Sequence, residues 1–214
     1  MIRILIADDH AIVREGLKQI VQQTSDILVA GEASNASETL EMVRTIPLDL
    51  LLLDISMPGR SGLDVLLEVK RDLPQLPVLI LSLHPEDQYA FRMLKAGAAG
   101  YVTKESATEQ LIHAIRKVAG GGKYMSMSLA ERLVFNMAKD DGKEPHEILS
   151  NREFQVFRML AAGKTVKQIG DELSLSAKTI STNRARIMEK MGLQNNSELT
   201  QYALKHQLLE SGSE

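Results

Sequence analysis

The sequence predicts an α/β fold, a doubly wound five-stranded parallel sheet, followed by a second, all-α domain. Three observations carry this prediction. The first 120 residues alternate short apolar runs with segments of helical periodicity, which is the pattern of repeated βαβ units. Most of the apolar runs are continuous rather than alternating, as expected for parallel strands that are buried on both faces. From residue 149 onward, apolar residues recur at helical spacing.

The first domain is predicted to contain five strand–helix pairs. Each strand is a short apolar run, and each helix has apolar residues three or four positions apart. The strands are placed at Ile2–Ala7, Leu28–Ala33, Leu50–Leu53, Val78–Leu81 and Gly100–Val102. The helices are placed at 11–23, 36–46, 62–72, 86–96 and 106–119. Three consecutive glycines at 120–122 end the last helix.

Changes in composition divide the chain into two domains joined by a linker. Apolar residues at helical spacing predict a helix at 126–138, and the polar run that follows, at 139–145, predicts a flexible segment. The resulting assignments are 1–122 for the first domain, 123–147 for the linker, 148–210 for the helical domain and 211–214 for a short tail.

Composition excludes several classes of protein. Of the 214 residues, 44% are hydrophobic and 25% are charged, which is ordinary for a globular protein. The chain has no cysteine, and this excludes disulfides, thiolate nucleophiles, cysteine-ligated zinc and iron–sulfur clusters. The N-terminal apolar run is too short for a signal peptide, and no run approaches the roughly 20 apolar residues that span a bilayer. We therefore expect a soluble cytoplasmic protein with no membrane partner.

Polar residues follow the strands of the first domain. Asp8 and Asp9 follow the first strand, Asp54 the third and Ser82 the fourth, and Lys104 comes shortly after the fifth. The carboxyl ends of the strands of a doubly wound sheet meet at one edge, so these groups are expected to lie together. Crowded carboxylates repel one another unless a hard divalent cation or a lysine neutralises them. The sequence therefore predicts a Mg²⁺ site at this edge.

Asp54 is the predicted nucleophile of this site. It follows the most apolar strand, and a carboxylate beside Mg²⁺, with a lysine and a hydroxyl nearby, can form an aspartyl phosphate. Each acidic residue taken alone is equally compatible with capping of a following helix, and His10 is predicted to cap the first helix. The combination of polar groups after three strands with a lysine after another favours the functional interpretation.

In order and spacing, these residues resemble the receiver domain of two-component response regulators. The resemblance covers about residues 1–120 and implies a flavodoxin-like fold with strand order 2-1-3-4-5. It also implies that Asp54 accepts a phosphoryl group from a histidine kinase. The motifs that carry the resemblance are Asp8-Asp9-His10, Asp54-Ile55-Ser56-Met57-Pro58-Gly59, Gly62, Ser82, Gly97-Ala98-Ala99-Gly100-Tyr101 and Lys104.

The resemblance implies further roles for residues around Asp54. Mg²⁺ would be held directly by Asp9, Asp54 and the backbone carbonyl of Ser56, and mainly through water by Asp8. The switch residues are implied in the same way. Lys104 would pair with the phosphate, Ser82 would move to hydrogen-bond it, and Tyr101 would change rotamer at the signalling surface.

The helical domain contains two short helices joined by a tight turn, at Val166–Leu173 and Ala177–Met191. One face of the second helix carries basic and small polar residues, which fits a major groove. An ordinary solvated face with i,i+4 charge pairs is the alternative interpretation. Segment 148–210 is net basic, with 9 basic and 6 acidic residues, whereas 1–124 has 13 and 16 and 125–147 has 3 and 5. The charge distribution favours nucleic-acid binding by the C-terminal domain.

The helical domain resembles the LuxR-type helix-turn-helix of NarL/FixJ response regulators over about residues 149–209. The resemblance implies that Ala177–Lys190 is the recognition helix and that the last helix, near Ser197–His206, helps to pair two subunits. The matching motifs are Leu149-Ser150-Asn151-Arg152-Glu153, Ala161-Ala162-Gly163, Lys167-Gln168-Ile169-Gly170, Ser176-Ala177-Lys178-Thr179-Ile180 and Lys190-Met191-Gly192-Leu193. The implied DNA contacts are Lys178, Thr179, Ser181, Thr182, Ala185, Arg186 and Lys190. Ser150 and Glu153 have the spacing of a capping box.

The sequence therefore predicts a phosphorylation-controlled, DNA-binding transcriptional regulator. Its expected partners are a cognate histidine kinase, double-stranded promoter DNA, RNA polymerase and, on activation, a second copy of the chain. We expect no enzymatic activity beyond slow autodephosphorylation. Two alternatives stay open: a constitutive DNA-binding regulator whose receiver does not switch, and an aspartyl-phosphate phosphohydrolase. The second usually has an acid–base Asp two residues after the nucleophile, where this chain has Ser56.

Overall fold

A computed structural model of the chain describes residues 1–57, 60, 62–82, 86–127, 129–131, 144–173, 175–206 and 208–209. The chain divides into two units, Met1–Asp140 and Asp141–Glu214. None of the helices in the described ranges is long and apolar enough to cross a membrane.

The first unit contains a five-stranded parallel sheet in the order β2-β1-β3-β4-β5, which confirms the predicted fold class and strand order. The strands are β1 (Ile2–Ala7), β2 (Ile27–Ala33), β3 (Leu50–Asp54), β4 (Val78–Ser82) and β5 (Gly100–Thr103). The helices between and after them are α1 (Ala11–Gln22), α2 (Ala36–Thr45), α3 (Gly62–Asp72), α4 (Glu86–Lys95) and α5 (Ala107–Ala119).

Both faces of the sheet are covered, as the continuous apolar strands predict. Along β3, Leu51 and Leu53 belong to a core cluster with residues of α2, α3 and α4. Leu50 and Leu52 point to the other face and belong to a cluster with residues of α1 and α5. Every residue of β3 is buried, so Asp54 stands at the end of a strand that is packed on both sides.

Three strands extend one residue further than predicted, and each additional residue is polar. β3 ends at Asp54, β4 at Ser82 and β5 at Thr103. The apolar pattern stops one position earlier, but the backbone pairing continues, because Asp54 pairs with Leu81 and Ser82 pairs with Thr103. The sheet itself therefore holds the backbone of these three polar residues.

The loop after Asp54 returns so closely to β3 that only glycine fits at position 62. A Cβ atom there would lie 2.4 Å from the carbonyl oxygen of Asp54 and 2.6 Å from Cα of Ile55. The amide of Gly62 donates a hydrogen bond to the carbonyl of Ile55 at 3.0 Å. The start of α3 is thus held directly against the end of β3.

Residues that follow α5 pack onto the first unit. Tyr124 forms a parallel bridge with Gly100, beside β5. Leu129 is buried in the core cluster that includes Leu51. The sequence assigns 123–147 to the linker, whereas the structure packs the first residues of that segment on the core of the first unit. The remainder of the predicted linker helix and the polar run after it lie largely outside the described residues.

The second unit is built from helices, and side-chain hydrogen bonds cap the N-termini of several of them. They are a 3-10 helix (Pro145–Ile148), α6 (Asn151–Ala161), α7 (Val166–Leu173), α8 (Ala177–Met191) and α9 (Asn196–Lys205). Ser150 and Glu153 form the predicted capping box at the start of α6. Gly170 keeps the turn between α7 and α8 tight, since a Cβ atom there would lie 2.7 Å from the carbonyl oxygen of Leu175.

Candidate functional site: an acidic pocket and an exposed helix

An acidic pocket lies at the carboxyl edge of the sheet. The Lys104 ammonium lies 2.7 Å from Oδ2 of Asp8 and 3.0 Å from Oδ2 of Asp54. Asp8 and Asp54 are each only 1% exposed. One ligand atom each from Asp8, Asp9, His10 and Asp54 lies within 4.8 Å of the others. The structure thus brings together the three aspartates and the lysine that the sequence singled out.

The pocket perturbs the protonation of its own groups. Burial raises the pKa of Asp54, and the nearby charge of Lys104 offsets this only in part. Burial by itself would lower the pKa of Lys104, but the carboxylates of Asp54 and Asp8 outweigh it, so the pKa of Lys104 is raised. Lys104 is therefore a fixed positive charge that faces two buried carboxyl groups.

The donor set of the pocket fits a hard divalent cation. Within the described ranges, four buried polar atoms lack a hydrogen bond of good geometry, namely Oδ2 of Asp8, Oδ1 of Asp9, Oδ2 of Asp54 and Nζ of Lys104. The pocket contains three carboxylates, and Lys104 pairs with only two of them, so negative charge is left uncompensated. Mg²⁺ binds through a small number of carboxylates together with water. The pocket therefore has the oxygen ligands and the charge that such an ion requires.

His10 and Arg14 take part in the pocket in ways that the sequence did not predict. His10 is the N-cap residue of α1, but its side chain makes no capping hydrogen bond, so that prediction is wrong. Its Nδ1 atom instead lies 2.9 Å from Oδ1 of Asp9, because the neighbouring carboxylates attract the imidazole. Arg14 donates from Nη1 to the backbone carbonyl of Asp8 at 2.8 Å. A contact to backbone leaves no signal in a side-chain pattern.

The remaining predicted receiver residues lie around the pocket or in the core beside it. The amide of Ser56 donates to Oδ1 of Asp54 at 3.2 Å. Ser82 is fully buried at the end of β4, and its carbonyl accepts from the amide of Lys104 at 2.7 Å. Tyr101, on β5, has no exposed surface and belongs to the core cluster that covers the face of α2, α3 and α4. The structure therefore places Tyr101 inside the core.

Helix α8 presents one exposed face and one buried face. Ile180, Ile187 and Met191 are buried against the rest of the unit. Asn183 is also buried, and its amide group donates to the carbonyl of Thr179 at 3.0 Å. All seven predicted DNA-contacting residues lie on exposed positions, namely Lys178, Thr179, Ser181, Thr182, Ala185, Arg186 and Lys190. The face predicted to enter a DNA groove is thus accessible within this unit.

Lys190, the seventh predicted DNA contact, has a partner within the same unit. Its ammonium lies 2.7 Å from Oε2 of Glu153, whose side chain is 4% exposed. Burial acts to raise the pKa of Glu153, but the hydrogen bonds from Lys190 and from Ser150 outweigh it, and the pKa is lowered. The same carboxylate accepts from the amide of Ser150 at 2.7 Å. Glu153 therefore caps α6 and at the same time binds the end of α8.

Comparisons with known proteins agree with this arrangement. The family of response regulator receiver domains matches residues 4–116, and the luxR family of bacterial regulatory proteins matches residues 147–203. Response regulator GacA of Pseudomonas protegens is 36% identical over 211 residues, which cover 99% of each chain. Oxygen regulatory protein NreC of Staphylococcus epidermidis is 39% identical over 216 residues, covering 97% of this chain and 99% of NreC.

Solved structures of a similar protein cover nearly the whole chain. RcsB from Salmonella enterica serovar Typhimurium, bound to promoter rprA in the presence of the phosphomimetic BeF3⁻, matches with a TM-score of 0.65 and 27% identity. The match covers 94% of this chain and 98% of the RcsB chain. Two family matches in this order along one chain, together with relatives of the same length, show that the chain belongs to the NarL/FixJ-type response regulators, with a receiver domain followed by a LuxR-type DNA-binding domain.

Proposed function

We propose that this response regulator is a phosphorylation-controlled transcription factor in which Asp54 accepts a phosphoryl group and α8 binds promoter DNA. The observation that carries the proposal is the position of Asp54. It is buried at the end of the central strand, 3.0 Å from the Lys104 ammonium, in a chain that also has an exposed helix of helix-turn-helix type. The donor is a phosphohistidine of the partner kinase. Because promoter DNA is its target, we assign the protein to the cytoplasm.

The transfer step uses groups that are already in place. A carboxylate oxygen of Asp54 attacks phosphorus, the bond from phosphorus to the kinase histidine nitrogen breaks, and that nitrogen keeps the electron pair. Lys104 neutralises charge on the phosphoryl oxygens. Mg²⁺, held by Asp9, Asp54 and the carbonyl of Ser56 and through water by Asp8, supplies further neutralisation of that charge when bound.

The switch follows from the contacts that phosphorylation must change. Lys104 is paired with Asp54, and an aspartyl phosphate gives it new acceptor oxygens. Ser82 stands at the end of the neighbouring strand, with its carbonyl bound to the amide of Lys104. We assign Ser82 to move and donate a hydrogen bond to the phosphate. Tyr101, which is buried, is assigned to change rotamer in response and so alter the surface of the last strands. Phosphorylation then shifts the population toward a state that pairs two chains on DNA.

Recognition of DNA is assigned to the exposed face of α8. Lys178 and Arg186 supply charge for the phosphates, while Ser181, Thr182 and Ala185 are short enough for close approach to base edges. Thr179 is also exposed on this helix, and we assign it to contact the DNA backbone or nearby bases. Lys190 is assigned a weaker contact with the DNA backbone than Lys178 and Arg186, because its ammonium is already bound to Glu153.

Pairing of two chains is assigned to α9. Leu204 on this helix is 62% exposed, so its side chain is accessible to a second chain. A cleft of about 440 Å³ beside it is lined by residues of α6 and α9, among them Leu160 and Thr200. An apolar side chain next to a cleft suits contact with a second copy of the same helix. RNA polymerase is the further partner that we assign to the DNA-bound dimer.

The family identity supports a regulator rather than a catalyst, and we propose that dephosphorylation is slow. A phosphohydrolase needs an acid–base group close to the nucleophile. Two residues after Asp54 the chain has Ser56, whose hydroxyl is a poor general base. The aspartyl phosphate should therefore last long enough to control DNA binding.

The proposal is tested by the intact mass of the full chain after incubation with acetyl phosphate and Mg²⁺. We expect one added phosphoryl group in the wild type and in Asp64→Asn, and none in Asp54→Asn. Affinity for promoter DNA, measured by fluorescence anisotropy at fixed salt, should rise after acetyl phosphate treatment in the wild type and in Asp64→Asn, and should stay unchanged in Asp54→Asn. Phosphorylation that leaves DNA affinity unchanged would indicate the constitutive regulator, and rapid multiple turnover of acetyl phosphate would indicate the phosphohydrolase.

A further inference from the structure

A cluster of imidazole, phenol and carboxylate groups lies at the start of the helical unit. His146 lies in the 3-10 helix, and Glu144 is the residue just before it. Tyr202 lies in α9, and His206 is the C-cap residue of that helix. Nδ1 of His206 lies 3.8 Å from Oε2 of Glu144. Nδ1 of His146 lies 2.9 Å from the Tyr202 hydroxyl. The cluster has no part in the function proposed above.

Three members of the cluster have the chemistry of metal ligands. Glu144, His146 and His206 each offer one ligand atom, and the three atoms lie within 4.8 Å of one another. Two imidazoles and one carboxylate form a ligand set found for Zn²⁺, with the fourth position left to water. Imidazole also suits Cu²⁺, Ni²⁺ and Co²⁺, whereas Mg²⁺ prefers oxygen ligands. The set therefore differs in kind from the receiver pocket, where the proposed Mg²⁺ ligands are oxygen atoms.

Groups around these ligands fix the orientation of the rings. The Tyr202 hydroxyl contacts His146 and also donates to Oε2 of Glu144 at 3.5 Å. The rings of Tyr202 and His206 stack with centroids 4.2 Å apart and an interplanar angle of 22°. Phe154 of α6 packs beside His146, with centroids 6.2 Å apart. Hydrogen bonds and packing of this kind orient ligands in metal sites, and they limit the rearrangement that binding requires.

We propose that Glu144, His146 and His206 form a transition-metal site, suited to Zn²⁺, that fastens the start of the DNA-binding domain to the end of its last helix. The ion joins two segments that are more than fifty residues apart in sequence. It binds only when folding has brought both segments together, so its binding stabilises the folded unit. Tyr202 acts as a positioning residue. Its hydroxyl holds His146 and Glu144 without itself being needed as a ligand.

The first test is a titration of the full chain with Co²⁺ in excess Mg²⁺, which keeps the receiver pocket filled with its preferred ion. Co²⁺ in a four-coordinate site absorbs visible light, and Zn²⁺ should displace it and abolish the absorption. We expect one Co²⁺ per chain. Co²⁺ spectra that are identical in the wild type and in a His146→Ala, His206→Ala double variant would overturn the proposal.

Matched variants separate binding from folding. Glu144 is half exposed, so Glu144→Gln should fold normally and yet weaken Co²⁺ binding by more than tenfold, because it removes the charged ligand. Tyr202→Phe should weaken binding by about 10- to 100-fold, as expected for loss of a group that orients the ligands. His113→Ala, which removes an exposed histidine of α5, is the control and should bind Co²⁺ like the wild type.

A thermal measurement gives an independent readout. Zn²⁺ should raise the Tm of the DNA-binding domain in the wild type and in His113→Ala, and should raise it less in Glu144→Gln at the same Zn²⁺ concentration. Circular dichroism before metal addition confirms that each variant is folded. An equal rise of Tm in Glu144→Gln would mean that Zn²⁺ binds elsewhere, and the proposal would be wrong.

Discussion

The Lys190 ammonium of α8 lies 2.7 Å from Oε2 of Glu153, and this ion pair joins α8 to the N-terminus of α6. Removing Lys190 leaves a buried carboxylate with only the capping interactions of Ser150 to compensate it. We expect Lys190→Met to lower the free energy of unfolding of the helical domain by about 1–3 kcal/mol. Urea unfolding followed by circular dichroism measures this loss.

The salt dependence of DNA affinity distinguishes the role of Lys190 from that of Arg186, which lies on the same helix. Each phosphate contact contributes about one unit to the slope of log affinity against log salt. Arg186→Gln should reduce that slope by about one and leave stability unchanged, since Arg186 lies on the exposed face. Lys190→Met should reduce the slope by less than Arg186→Gln does. If Lys190→Met reduced the slope by a full unit and left stability unchanged, Lys190 would act mainly as a DNA contact rather than as the partner of Glu153.

The close approach of Gly62 to β3 predicts a local effect on phosphorylation. In Gly62→Ala the new methyl group would meet the carbonyl oxygen of Asp54 at 2.4 Å, so the loop must move. We expect a loss of about 1–3 kcal/mol in stability and slower phosphorylation by acetyl phosphate, because the strand end carries the nucleophile. Urea unfolding and timed intact-mass measurements give the two quantities.

Gly16→Ala is the matched control for this substitution. Gly16 lies within α1, and a Cβ atom there would meet nothing within 4 Å. Alanine should therefore stabilise the helix by about 0.5–1 kcal/mol and leave phosphorylation unchanged. Equal effects of the two alanines would contradict the steric account of Gly62.

The acidic pocket was predictable because the parallel topology places the carboxyl ends of all five strands at one edge of the sheet. Residues far apart in sequence, such as Asp8 and Lys104, meet because each follows a strand and all strands end at one edge. The apolar strand patterns were sufficient to place them. The same logic could not give the last residue of β3, β4 or β5, because backbone pairing extends to Asp54, Ser82 and Thr103 after the apolar pattern has ended.

Contacts that depend on the final packing were not predictable. The Glu153 side chain binds Lys190, which lies 37 residues away in sequence, whereas the resemblance to a LuxR-type helix-turn-helix implied a DNA contact for Lys190. His10 stands at an N-cap position, but its side chain turns to Asp9 instead. The partner of Glu153 is distant in sequence, so the local sequence does not reveal that ion pair. Asp9 is the sequence neighbour of His10, but only the folded pocket shows that this contact takes the place of a capping hydrogen bond.

The raised pKa of Asp54 predicts how pH alters stability when Mg²⁺ is removed with EDTA. Folding raises this pKa above 3.8, so the contribution of Asp54 to stability is present below pH 3.8 and is lost as pH rises through the folded value. Asp54→Asn cannot ionise and escapes this loss. The free energy of unfolding of the variant, relative to the wild type, should therefore increase as pH rises from about 3.8 towards neutrality.

Asp64→Asn serves as the control, since it removes a carboxylate from the first turn of α3 rather than from the pocket. Urea unfolding at a series of pH values gives both comparisons. An advantage of Asp54→Asn that shrinks towards neutral pH would mean that Lys104 outweighs burial, and the assigned direction of the shift would be wrong.

Lys104 and Mg²⁺ are predicted to neutralise the same carboxylates, so loss of one should increase the effect of the other. The Lys104 side chain is 7% exposed, and removing one partner of a buried pair costs about 3–5 kcal/mol. We expect Lys104→Met to lose an amount of this order in EDTA. Saturating Mg²⁺ should restore about 2–3 kcal/mol at a hundredfold excess over Kd, and more in the variant than in the wild type.

The control for the lysine substitution is Lys164→Met. Lys164 pairs with Glu172 on the surface of the helical unit, with side chains 40% and 54% exposed, so its loss should change stability by less than about 1 kcal/mol. Mg²⁺ should act on this variant as it does on the wild type. If Mg²⁺ stabilised Lys104→Met no more than the wild type, the ion and the ammonium would be serving different carboxylates, and the shared-charge account of the pocket would fail.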